Sequence, residues 1–187
     1  MDENGYSRLL KLRYATYVGE QEKDPMLIDL SLDCEITQPP ERMEPKNRVM
    51  LEDVVTADYL LYPLPDQLAD KLCAVMERQP GDWPSSRMKD LVDIVLYVTG
   101  ERFDLAQLVL AIDSECVRRG MEVPRRFEAP EEWRRRFPAF AKRSGLSKSS
   151  CDFDYACGLA AKFFTPALEH RDECMRWNPS VLEWHEG

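Results

Sequence analysis

Apolar and polar residues alternate from Leu10 to Val18 and again from Met26 to Asp33, with the polar run GEQEKD between them. A period of two marks a strand, so two such runs around a short polar connection predict a hairpin. In the second run Met26, Ile28, Leu30 and Leu32 share one face, and Leu27, Asp29, Ser31 and Asp33 share the other. The stretch from Glu35 to Asn47 is rich in proline and polar residues and reads as a loop or crossover, after which Leu60 to Leu64 reads as a short returning strand. These pieces predict a small sheet of roughly three strands that needs helices to cover a face.

The period changes at Pro65. A proline at a helix start loses no useful N–H, and Asp66 falls in the first turn, near the positive end of the dipole. Leu68, Leu72, Val75 and Met76 form the buried stripe of this helix, with Asp66, Asp70 and Glu77 opposite and Lys71 at the stripe's edge. After GDWPSS, Ser85 or Ser86 caps a second helix whose core face is Met88, Leu91, Val92, Val95 and Leu96. Asp104-x-x-Gln107 is a capping box for a third helix that ends at Gly120. Pro130 opens EEWRRRFPAFAKR, which Pro138 kinks or splits. A last helix starts near Asp152 and carries Leu159, Phe163 and Phe164 up to Pro166, followed by a tail read as helical through PALEH and WNPSVLEW. The expected class is α+β: a small antiparallel or mixed sheet over residues 1–64, then a helical domain over 65–187.

Composition narrows the chemistry. With 44% hydrophobic and 32% charged residues, the chain has the make-up of a globular protein, not a disordered one. No apolar run approaches the roughly 20 residues of a membrane span, and MDENGYSR is no secretory signal, so cytoplasmic residence is expected. Six scattered cysteines without a Cys-x-x-Cys pair read as buried thiols, and His170 and His185 lie away from any cysteine at zinc-ligand spacing. Between Arg118 and Lys148 ten basic residues face four acidic ones, in a chain of net charge −9. That excess is either a solvated face pairing with the acidic remainder or a grip for RNA phosphates.

The candidate chemistry centres on the two helices around the GDWPSS loop. Asp90 and Asp93 lie on a helix that is apolar nearly all round, so they need cationic or metal partners. Arg87 reaches Asp90 at i,i+3 spacing, and Lys71 is the candidate from the first helix. The group is either a salt-bridge cluster pinning two helices together or the wall of a site that holds an anionic substrate and a metal. Asp29 likewise reads as part of an ordinary solvent face or as a metal carboxylate.

Residues from Pro63 to Met76 followed by SSRMKDLVDIVLYV resemble the signature of the AbiEii/AbiGii toxin family, and the resemblance extends from about Leu9 to the end. It implies a partial nucleotidyltransferase-like sheet and transfer of a nucleotidyl group from a nucleoside triphosphate to RNA, tRNA in the best-known members. The setting it implies is a bacterial toxin–antitoxin or phage-defence system with a cognate antitoxin. By the same resemblance Asp29 is the third Mg²⁺ carboxylate, Lys71 neutralises triphosphate charge, and Asp90 orients Lys71 or acts on the attacking hydroxyl. Arg87, Lys89 and Asp93 then bind substrate. The family's Gly-Ser turn and Asp-x-Asp pair have no counterpart before Leu9, and Asp152-Phe-Asp154 reads as a helix cap. The expectation is therefore a truncated member, impaired or inactive alone. The alternative is a non-catalytic protein that binds an antitoxin or a complementing chain.

Overall fold

The computed structural model describes residues 9–32, 34–46, 57–170 and 174–187. Asp33, the Gly5-Tyr-Ser7 segment and the end of the Glu35–Asn47 loop lie outside the described residues. The chain divides into two units, Met1–Glu35 and Ile36–Gly187.

The first unit is the expected hairpin. Strand β1 (Leu9–Val18) pairs antiparallel with β2 (Gln21–Ser31), and Gly19, at φ 61°, closes the tight connection. The register slips between Tyr14 and Thr16, which places Asp24 and Pro25 opposite Ala15. A proline has no N–H to give the ladder, so it is tolerated at this bulge. Leu10, Leu12 and Tyr14 oppose Leu30, Ile28 and Met26 on one face, while Lys11 and Arg13 oppose Asp29 and Leu27 on the other.

In the second unit β3 (Glu41–Met43) pairs with β4 (Tyr59–Leu61) as a separate two-stranded ladder. The single sheet of three strands expected from the pattern is thus corrected to two separate pairs. Pro39, Pro40 and Pro45 confine β3 to three residues, and the returning strand stops at Leu61 because helix α1 (Leu64–Met76) takes over. Helix α2 (Met88–Gly100), a two-residue strand β5 (Phe103–Asp104) and α3 (Leu105–Arg119) follow. Asp104 caps α3 by accepting from the Ala106 and Gln107 N–H groups, and Gly120 ends it in the left-handed region at φ 64°. EEWRRRFPAFAKR splits, as Pro138 requires, into a 3₁₀ turn (Glu131–Trp133) and the short α4 (Phe137–Arg143). Asp152 caps α5 (Phe153–Leu168) through the Tyr155 N–H, 2.8 Å away.

The core packs α1, α2, α3 and α5 together around Leu68, Leu72, Leu91, Ile94, Leu108, Ile112 and Phe163. On α2 four of the five expected core residues, Met88, Leu91, Val92 and Val95, are buried; Leu96 is exposed, and Ile94 and Val98 are buried as well, in keeping with a helix apolar nearly all round. Helix α5 also runs through Pro166, because the lost hydrogen bond falls in its last turn, where Ala167 and Leu168 are buried.

WNPSVLEW is a hairpin rather than a helical tail: β6 (Met175–Asn178) pairs with β7 (Glu183–Glu186), and β6 also pairs with β5. Pro179 blocks helix, and the Asn178 side chain accepts the Ser180 N–H across the turn. The hairpin drives Trp177 into the core, where its indole N–H donates to the Val98 carbonyl at 2.8 Å and its ring meets Phe163 edge to face. Among the described residues no helix is long and apolar enough to cross a membrane.

Candidate functional site

Lys71 sits on α1 near the buried Leu68 and Leu72, and its side chain reaches α2. Its Nζ donates to Asp93 Oδ2 at 2.8 Å and lies 3.4 Å from Asp90 Oδ1. Arg87 Nε donates to the other oxygen of Asp90 at 2.6 Å, and Lys89 Nζ to Asp93 Oδ2 at 3.1 Å. Asp90 is 3% exposed, so its charge rests on Lys71 and Arg87. Burial works against the Lys71 ammonium, but the hydrogen bond to Asp93 and the attraction of both carboxylates outweigh it and raise its pKa. The hydrogen bond to Asp90 also raises the pKa of Arg87. Lys71 is therefore a fixed positive charge at neutral pH, not a proton donor.

The loop before α2 holds Arg87 in place. Ser85 caps no helix by the usual geometry; it is buried, donates its hydroxyl to the Ala74 carbonyl of α1 at 2.6 Å and accepts the Arg87 N–H at 3.1 Å. Trp133 clamps the same residue from outside, donating its indole N–H to the Ser85 carbonyl at 3.1 Å. The positioning role of Ser85 and Trp133 was hidden in the sequence because both bonds are to backbone carbonyls far along the chain.

A second network ties α1 to the end of α3. Arg119 donates to Glu115 at 2.5 Å and to Asp70 and Glu77, each at 2.6 Å, and Arg118 shares Glu115. Burial tends to raise the Glu115 pKa, but the two guanidinium hydrogen bonds hold it below its ordinary value. Two residues counted in the basic excess, Arg118 and Arg119, are thus spent inside the fold. Asp66, read as part of an outer acidic face, is buried as well and accepts the Thr37 N–H and hydroxyl through one oxygen.

Five of the six sequence-derived site residues, Lys71, Arg87, Lys89, Asp90 and Asp93, thus form one cluster. Asp29 belongs to the hairpin unit, where its cross-strand partner is Lys11. Asp152-Phe-Asp154 is spent on structure, one carboxylate capping α5 and the other pairing with Arg134 at 2.5 Å. Cys73 and Cys116 are buried with their sulfurs 3.7 Å apart, whereas Cys34 and Cys174 are exposed, so the expectation of buried thiols holds only for part of the set.

The Lys71 cluster is a poor fit for a divalent metal. Both oxygens of Asp90 and Oδ2 of Asp93 already accept from cations, and a metal there would meet three positive side chains. Among the described residues no group of three or more His, Cys, Asp or Glu side chains is placed to hold a metal ion.

Fold and cluster together define an α+β protein in which three cations, Lys71, Arg87 and Lys89, meet two carboxylates, Asp90 and Asp93, between α1 and α2. The family model described as nucleotidyl transferase AbiEii toxin, type IV TA system, matches residues 2–158, and the chain belongs to that family. Neither a curated protein nor a solved structure gives a significant match.

Proposed function

We propose that this protein takes part in nucleotidyl transfer from a nucleoside triphosphate to RNA, and that the Lys71 cluster is the wall facing the triphosphate. The charge balance of that wall carries the reading. Three cations meet two carboxylates, and the outer two, Arg87 and Lys89, have 58% and 72% of their side chains exposed. In this reading the acceptor hydroxyl displaces pyrophosphate at the α-phosphorus while Lys71 offsets the negative charge gathering on the leaving group. Asp90 and Asp93 fix the ammonium, and Arg87 and Lys89 contact the phosphates. Were Mg²⁺ to bind in the hairpin unit, Asp29 on β2 would be the carboxylate offered to it, and the ion would supply positive charge to offset phosphate oxygens.

The 187 residues contain no Gly-Ser dipeptide, and their single Asp-x-Asp caps α5. The proposal therefore includes weak or absent catalysis by this chain alone, with tRNA as the acceptor class, a cognate antitoxin as partner and a cytoplasmic role in toxin–antitoxin or phage-defence systems. The second reading is a non-catalytic protein that binds its antitoxin or a complementing chain. What favours it is the engagement of Asp90 and Asp93 by cations, which leaves them little capacity for chemistry.

The test incubates the protein with α-labelled nucleoside triphosphates, Mg²⁺ and bulk tRNA, alone and with a chain supplying Gly-Ser and Asp-x-Asp. Label should enter RNA in the complemented mixture and disappear with Lys71→Ala. Incorporation that persists without Lys71 would refute the role given to the wall. No incorporation under any condition, together with a stable antitoxin complex, would establish the second reading.

A further inference from the structure

From Arg134 to Lys148 there are six basic residues and no acidic one, in a chain of net charge −9. The structure sorts them. Arg134 is neutralised by Glu131 and Asp154. Among the described residues Arg135, Arg136, Lys142, Arg143 and Lys148 make no ion pair, and all five are exposed. Trp133, Phe137 and Ala141 anchor the segment to the core. Arg135 and Arg136 lie in the turn and cap that lead into α4, and Lys142 and Arg143 in its last turn.

We infer that this basic surface, formed by α4 and the segments that flank it, is a docking surface for the phosphate backbone of single-stranded RNA. The exposed residues between the cations are Pro138, Ala139, Ser144, Gly145 and Ser147, and Phe140 and Leu146 are half-buried. Nothing bulky and apolar is offered to a membrane interface or to the dry centre of a protein–protein contact. No exposed aromatic side chain lies between Arg134 and Lys148 to stack a base, so the surface follows charge without reading sequence. The inference rests on the proposed RNA acceptor, but its test reads binding and not transfer, so one can fail without the other.

The test is fluorescence anisotropy of a labelled mixed-sequence 20-mer RNA titrated with the full chain between 50 and 200 mM KCl. Five phosphate contacts on single-stranded RNA give a log–log salt slope of about −3.5, a loss of about 100-fold in affinity over that range. The variant Arg135→Gln/Arg136→Gln/Lys142→Gln/Arg143→Gln should bind more weakly with a slope near −0.7, a loss of about threefold. Arg135→Lys/Arg136→Lys should keep the wild-type slope. An unchanged slope in the fourfold variant would overturn the inference. So would polyglutamate or anionic phosphatidylglycerol vesicles displacing the RNA at equal charge concentration.

Discussion

Replacing Lys71 by methionine removes one charge while keeping most of the packing of the stem. The ammonium lies 2.8 Å from Asp93 and 3.4 Å from Asp90, on a side chain only 14% exposed. At an effective dielectric of about 20 each attraction amounts to about 5–6 kcal/mol before desolvation. Taking the ammonium out of water cancels several kcal/mol of this. Its loss strands neither carboxylate, since Arg87 stays 2.6 Å from Asp90 and Lys89 3.1 Å from Asp93. The net loss is therefore about 1–2 kcal/mol, below the ~3–5 kcal/mol of a buried charge left alone. Urea unfolding followed by circular dichroism measures it, and the melting temperature should fall by about 2–8 °C.

The pH dependence has a definite sign. The pKa of Lys71 is raised above its ordinary 10.5 in the folded chain, so its stabilisation is complete below that value and fades as pH climbs through the folded-state pKa. The gap between wild type and Lys71→Met should stay constant at neutral pH and narrow in strong alkali. A loss above 4 kcal/mol, or a gap that widens with alkali, would refute this account of the cluster.

Glu115→Gln should cost about 2–3 kcal/mol at neutral pH, because Arg118 and Arg119 lose a buried carboxylate while Arg119 keeps Asp70 and Glu77. Because the Glu115 pKa is lowered from 4.5, that stabilisation is present above this value and lost as pH falls through the folded-state pKa, so acid unfolding curves of wild type and variant should converge. Trp177→Ala should cost about 3–5 kcal/mol in chemical denaturation, since it removes a 1%-exposed indole and its bond to the Val98 carbonyl. In native protein a thiol reagent should label Cys34 and Cys174 within minutes and reach Cys73 and Cys116 only on global unfolding. Cys157, half-buried and with its pKa pushed up to about 12 by burial, should react slowly.

What the sequence made legible was local. The caps at Asp104 and Asp152, the stop at Gly120 and the hairpin at Gly19 each depend on residues within a few positions of one another. The approach of Lys71 to Asp90 was also readable, because an edge lysine and an apolar helix carrying acids leave few other pairings. What stayed hidden needed distant partners. Arg119 looked like part of a solvated basic face because its partners Asp70 and Glu77 lie 49 and 42 residues away. Which of Asp90 and Asp93 lies nearer Lys71 was not legible either, because the two acids are three residues apart on one side of α2. The final hairpin escaped because its two strands have only four residues each, too few for alternation to stand out.

In the proposed reading the cation-rich wall of α1 and α2 holds a triphosphate. Calorimetric titration of the intact chain with a non-hydrolysable nucleoside triphosphate and Mg²⁺, beside Lys71→Met and Arg87→Gln/Lys89→Gln, tests it most directly. The account predicts a saturable binding isotherm for the wild type and at least tenfold weaker binding in both variants, with folding retained. Equal affinity in all three, or no heat of binding at millimolar ligand in the wild type, would contradict it.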